Sequence, residues 1–218
     1  MRTHLGNPEV FALGVEHLRA GDPVLKALFE RHGVIKFRPR GDVFESLVES
    51  IIGQQLAGSA ADAIIRRLRE MYPSRVFEAG AILKTPSSKL RRAGVSPQKT
   101  RYLKDLSARV VDGRLDLRKI RRKTDGEILE ELDQVLGIGP WTVHMLLIFT
   151  LGRPDVLPVD DLGIRKAVQR VYSLSELPKS KIIEGLATKW HPYCSIASLY
   201  LWREKDNADK PNLVVQTA

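Results

Sequence analysis

Apolar residues recur at helical spacing along nearly the whole chain and alternate at strand spacing almost nowhere. A period near 3.6 gathers apolar side chains on one face only if the backbone is helical, so this pattern constrains the fold most. Val43, Leu47, Val48, Ile51 and Ile52 form one stripe. Ile128, Leu129, Leu132, Val135 and Leu136 form a second, and Ile164, Ala167, Val168 and Val171 a third. Residues 196–202 make an apolar C-terminal segment. Breakers separate the stripes: Gly21-Asp22-Pro23, Pro39-Arg40-Gly41, Tyr72-Pro73-Ser74, Thr85-Pro86-Ser87, Ser96-Pro97, Gly113 and Gly152-Arg153-Pro154. Ser96 before Pro97 reads as an N-cap followed by a proline at the first helical position. The expected fold is all-α, and 218 residues suffice for one large domain or two small lobes. The polar stretch after Trp202 is expected to fray.

Composition narrows the partners. Lys and Arg number 35 against 26 Asp and Glu, a net charge of +9, which favours a polyanion over an uncharged partner. A basic but indifferent surface is the plain alternative. The longest apolar run, Met145 to Phe149, is far too short to span a bilayer, and nothing resembles a signal peptide. The single Cys194 rules out an internal disulfide and any four-cysteine zinc or iron–sulfur site. The five histidines are scattered, without metal-ligand spacing.

Residues 132–161 carry the chemistry. They read as a helix ending near Leu136, the hairpin Gly137-Ile138-Gly139-Pro140, a second helix, and the turn Pro158-Val159-Asp160-Asp161. Gly137 can take a left-handed cap, Gly139 admits a close backbone, and Pro140 opens the next helix where its missing N–H costs nothing. The N–H groups of Gly137, Gly139 and Thr142 then form an anion nest for a phosphate. Alone, the pattern fits an ordinary tight turn between helices better than a phosphate site. The basic charge and the downstream carboxylate favour the phosphate. On the residues alone, Asp160 reads as an N-cap for a helix starting at Leu162 or as a catalytic acid, and Asp161 as a structural cap or salt-bridge partner.

From about Val43 to Trp202, the chain resembles the helix-hairpin-helix (HhH-GPD) DNA glycosylase superfamily, and within it the 3-methyladenine DNA glycosylase II branch. The resemblance rests on SIIGQQLAGSAADAI (50–64), AGVSPQKTRYLKDL (93–106), LGIGPWTVHMLLIF (136–149), LPVDDLGIRKAV (157–168) and WHPYCSIASLYLW (190–202), in that order. It implies a two-lobed all-α fold without the N-terminal β-domain of some relatives. Residues 43–152 would form a six-helix lobe carrying the hairpin at 137–140. Residues 1–42 and 153–218 would join as the second lobe, with DNA across the cleft.

The resemblance also assigns roles. Asp160, two residues after the proline, would be the catalytic carboxylate. Trp141, Trp202 and Met145 would line the pocket for a flipped base, Met145 standing where some relatives have an aromatic. Gln55, with Leu56 second, would be the wedge that fills the gap in the duplex, while Gln54 fits a bridge between helix ends as well. Lys99 and Arg101 would reach phosphates. The basic run 118–123 fits a phosphate-facing edge or a solvated face. Strand-nicking relatives carry a lysine nucleophile where this chain has Trp141, so water is the expected attacker and an abasic site the expected product. No cofactor and no catalytic metal are expected, at most a structural monovalent cation at the hairpin. Cys194 replaces a basic residue often found there. The expected protein is a monomer acting on double-stranded DNA with damaged bases. It would sit in the nucleoid-bearing cytoplasm of a prokaryote or the nucleus of a eukaryote. Competing readings are the same fold acting on hypoxanthine, ethenoadenine, 8-oxoguanine or uracil, and a non-catalytic DNA-binding module.

Overall fold

The computed structural model describes residues 4–56 and 58–209, and among them there is no strand. In chain order the helices are α1 (Pro8–Gly21), α2 (Pro23–His32), α3 (Val43–Gly53), α4 (Gly58–Glu70), α5 (Ala79–Lys84), α6 (Ser87–Arg92), α7 (Pro97–Val111), α8 (Asp125–Asp133), α9 (Pro140–Phe149), α10 (Leu162–Val171), α11 (Ser180–Ala187) and α12 (Cys194–Asp209). They fall into two compact units. One combines the residues up to Pro39 with those from Gly152 onward; the other is the continuous stretch Arg40–Leu151. Among the described residues no helix is long and apolar enough to cross a membrane.

In the unit built from both chain ends, α12 packs against α1, α2 and α10. Leu18, Leu25, Ile164, Val168, Ile196 and Leu201 are fully buried in it. Asp22 organises the junction of α1 and α2. Its N–H closes α1 on Leu18 O, and its Oδ1 caps α2 by accepting from the N–H groups of Val24 (2.9 Å) and Leu25 (3.4 Å). Its other oxygen accepts from Tyr172, from Trp190 Nε1 at 3.0 Å and from Lys189 Nζ at 3.2 Å. Burial alone would push this carboxyl up, but the hydrogen bonds from Tyr172, Trp190, Val24 and Lys189 outweigh it and hold the group below its ordinary value. A charge with no solvent exposure is tolerable only with such a full set of donors.

In the continuous unit, α7 is the central helix, packed by α3, α5 and α6. Ser96 caps it, its Oγ accepting from Lys99 N–H at 3.2 Å, and Pro97 opens it, as the dipeptide implied. The apolar stripe of α3 is wholly buried. Lys104 sends its ammonium to Ile82 O (2.9 Å) and Leu83 O (2.6 Å) and so neutralises the C-terminus of α5. Burial lowers the pKa of that ammonium.

Two expectations about helix ends are corrected. The helix before the hairpin ends at Asp133 rather than near Leu136, because the Leu136 N–H leaves the helical ladder for Asp105 Oδ2 (2.9 Å) on α7. The polar stretch after Trp202 stays helical to Asp209, because Glu204 is fixed by Arg31 (2.7 Å) and His32 (2.6 Å) of α2. The expected fraying beyond that falls on residues 210–218, outside those described.

Candidate functional site

The hairpin of the continuous unit needs glycine at 137 for two separate reasons. Its φ is +79°, where a side chain is strained, and a Cβ would lie 2.1 Å from Cδ2 of Tyr102 on α7. Gly139 is extended (φ −116°, ψ −179°) and caps α9, and a Cβ there would meet nothing within 4 Å. That face is open to an outside group. Ile138 N–H is taken by Val135 O at 3.1 Å, and the bonding of α9 starts only with Val143 N–H to Gly139 O at 3.1 Å. The N–H groups of Gly137, Gly139 and Thr142 fall outside these bonds, which suits an anion nest. The Thr142 side chain is buried, so its N–H, not its hydroxyl, is the usable donor. Gly137 O, Val135 O and Gly139 O each already accept a hydrogen bond, so a monovalent cation here would have to share them, and no step depends on one.

One face of α7 holds this hairpin and the loop after α3 together. Tyr102 backs Gly137, and Asp105 holds Leu136 while pairing with Arg109 at 2.9 Å. Lys99, one turn earlier, donates to Ile52 O (2.7 Å) and Gln54 O (2.6 Å) at the end of α3. Gln54 then reaches the hairpin, its Nε2 donating to Gly137 O at 2.7 Å. Gln54 is therefore the bridge. Gln55 and Leu56 are exposed beyond it, and Gln55 has a left-handed φ of 58° that presents it at the loop's tip. Lys99, expected at a phosphate, instead spends its ammonium on backbone carbonyls, and burial lowers its pKa.

Trp141 and Met145 lie one turn apart on the same side of α9; Trp141 is 44% exposed and Met145 half-buried. Arg67 and Arg69 are tied down, Arg67 to Ala93 O and Arg69 to Glu45 and Glu49 over the Phe77 ring. In the basic run, Arg118 and Lys119 pair with Asp116, Arg121 donates to Gly41 O, and Lys123 pairs with Glu131. Arg66 and Arg101 are exposed.

In the other unit the two adjacent carboxylates are held differently. Asp161 N–H closes the turn on Pro158 O at 3.0 Å. Asp160 is exposed, and its Oδ1 accepts from the hydroxyl of Ser180, the first residue of α11, at 2.7 Å. The N-cap of α10 is Asp161, whose Oδ1 accepts from Ile164 N–H at 2.8 Å and also from the indole Nε1 of Trp202 at 2.9 Å. Gly163 makes that second bond possible. A Cβ at 163 would lie 2.9 Å from Asp161 Oδ1 and 3.2 Å from Trp202 Cδ1. The Asp-Asp pair was evident in the sequence; the tie to Trp202, 41 residues away, was not. The glycine just inside a helix start was the one available hint.

The chain is similar to known proteins over most of its length. A family model described as the HhH-GPD superfamily base excision DNA repair protein matches residues 48–192. A Bacillus subtilis protein named as a DNA-3-methyladenine glycosylase is 32% identical over 82% of this chain, which spans 64% of that protein's length. The DNA-3-methyladenine glycosylase 1 of Schizosaccharomyces pombe is 31% identical, over 88% of this chain and 87% of its own. The solved structure of an S. pombe 3-methyladenine DNA glycosylase in complex with abasic DNA superposes with a TM-score of 0.81 at 30% identity, covering 90% of this chain and 98% of that one.

Proposed function

Because the chain belongs to the HhH-GPD superfamily of base excision DNA repair proteins, we propose that it is a DNA glycosylase that removes alkylated purines of the 3-methyladenine and 7-methylguanine class. In this reading the hairpin grips a phosphate and the loop tip Gln55-Leu56 fills the gap left by the flipped nucleotide; Trp141 and Met145 on the continuous unit, and Trp202 on the other, are each candidates to contact the base. A cationic alkylated base on an electron-rich indole gains about 0.5–2 kcal/mol over a neutral one. The partner is double-stranded DNA and the protein acts as a monomer.

The reaction breaks the bond from sugar C1′ to the base nitrogen. The electron pair leaves with the base, whose positive charge it neutralises, and the sugar becomes oxocarbenium-like. Water adds to C1′ and gives a proton to a carboxylate, leaving an abasic site. Trp141, at the position of the lyase lysine in strand-nicking relatives, has no amine to form a Schiff base.

The Asp160–Asp161 pair supplies the carboxylate. A group that stabilises transient positive charge works best when held rigidly. The observation that carries the reading is the double anchoring of Asp161 Oδ1 by the α10 N-terminus and the Trp202 indole, which favours Asp161 over the sequence candidate Asp160. Base release from methylated DNA by Asp160→Asn and Asp161→Asn, each checked for DNA binding, tests this. Asp161→Asn is expected to bind DNA yet lose about 10²-fold or more in rate, with Asp160→Asn close to wild type. The reverse pattern restores Asp160 to the role. Wild-type binding without base release leaves the non-catalytic module standing.

A further inference from the structure

The unit formed by both chain ends holds a cluster that the reaction above does not use. Asp155, His191 and Cys194 bring one oxygen, one nitrogen and one sulfur within 4.8 Å of one another. His191 Nδ1 is 2.8 and 2.9 Å from the two Asp155 oxygens and 3.5 Å from Cys194 Sγ. We propose that this triad is a binding site for a divalent transition metal of the zinc type, completed by water.

The distances support it. Zinc bonds of about 2.3 Å to sulfur and 2.0 Å to nitrogen at a tetrahedral angle set those two atoms about 3.5 Å apart, and Sγ and Nδ1 are 3.5 Å apart. The same geometry places oxygen and nitrogen about 3.3 Å apart, so the carboxylate needs to swing out by about half an ångström. The backbone around it is already fixed. Cys194 N–H donates to Asp155 Oδ1 (3.2 Å), Ser195 N–H to Pro154 O (3.0 Å), and Val156 N–H to Ser195 Oγ (2.9 Å). A mixed S, N, O set selects zinc, cobalt or cadmium over magnesium or calcium, which want oxygen alone. One thiolate and one carboxylate balance a divalent charge, the thiol proton leaving to solvent as the metal binds. Cys194 is buried while His191 lies half in solvent, giving the ion an entrance and its water a place. The bound ion would rivet the segment 154–156 to the start of α12. Asp161 and Trp202 lie a few residues along those same two segments, so the ion would stiffen their hydrogen bond from both sides.

The test is titration of the untagged full chain with cobalt(II), and it does not depend on the glycosylase reading. Wild type is expected to bind one equivalent with a near-ultraviolet thiolate-to-cobalt band and the intense visible bands of a tetrahedral ion. Zinc should displace them and raise the melting temperature. Cys194→Ser should lose the charge-transfer band, and the surface variants His191→Gln and Asp155→Asn should each bind at least tenfold more weakly while remaining folded by circular dichroism. No stoichiometric cobalt uptake by wild type, or uptake by His191→Gln as tight as wild type, overturns the site. In the first case the triad is an ion pair beside a thiol; in the second the ion sits elsewhere.

Discussion

Replacing Gly137 by alanine adds one carbon where the hairpin has no room for it. The added Cβ would stand 2.1 Å from Cδ2, 2.3 Å from Cε2 and 2.6 Å from Cγ of Tyr102, whereas carbon atoms in contact prefer about 3.5–4.0 Å. The ring or the hairpin must therefore move by more than an ångström. Two costs add. Holding a side chain at φ +79° costs about 1–2 kcal/mol, and forcing extra volume into a packed contact costs about 1–3 kcal/mol. The expected loss is about 2–5 kcal/mol, survivable for a domain whose stability is about 5–15 kcal/mol. Denaturant unfolding of wild type, Gly137→Ala, Tyr102→Ala and the double variant separates the terms. Without the Tyr102 ring the alanine should cost only its backbone share, about 1–2 kcal/mol, leaving a coupling of about 1–3 kcal/mol between the sites. Equal losses in the two backgrounds, or a single-variant loss below about 1 kcal/mol, would refute the argument that the ring and the hairpin interlock. Because the hairpin's N–H groups move with it, Gly137→Ala should also weaken binding to undamaged and damaged DNA alike.

Further outcomes follow from side chains whose positions contradict or extend their first reading. Lys99→Met should lower stability by about 1–3 kcal/mol by stripping the end of α3 of its donor, yet leave the slope of log affinity against log salt unchanged; a slope shallower by about 0.9 would instead mark a phosphate contact. Asp22→Asn should cost about 1–3 kcal/mol near neutral pH. Because the folded carboxyl lies below its ordinary value, its stabilisation is complete above about pH 4 and disappears as pH falls through the folded pKa. Wild type and variant should therefore converge in unfolding curves taken at progressively lower pH, and a constant gap down to pH 2 would show that the charge contributes nothing.

What the sequence disclosed was local; what it withheld depends on partners distant in the chain. Val43, Leu47, Val48, Ile51 and Ile52 could be recognised as a core face because burial repeats with the helix itself. Ser96-Pro97 and Pro140 announce helix starts because capping is settled within one turn. The end of α8 falls earlier than its apolar pattern implies because Asp105 claims Leu136 from another helix. The role of Lys99 was hidden for the same reason, since its acceptors lie 45 and 47 residues away. Asp160 and Asp161 were visible as a pair, but only the indole of Trp202 distinguishes them. Likewise, scattered histidines showed no metal spacing, and His191 becomes interesting only when the fold delivers Asp155 from 36 residues away.

The interrupted layout of the first unit bears on how the protein is made. On the ribosome, α1 and α2 emerge about 160 residues before α12 begins, a wait of about 8–30 s at ordinary rates of synthesis. During that wait the faces carrying Leu18, Leu25 and Phe29 have none of the α12 surface that later covers them. The continuous unit, Arg40–Leu151, has been synthesised in full before α12 begins and can close meanwhile. The nascent chain thus passes through a stage with one finished body and an N-terminal helical pair still seeking its lid, the stage at which a holding chaperone or slower translation would raise the yield of soluble protein most.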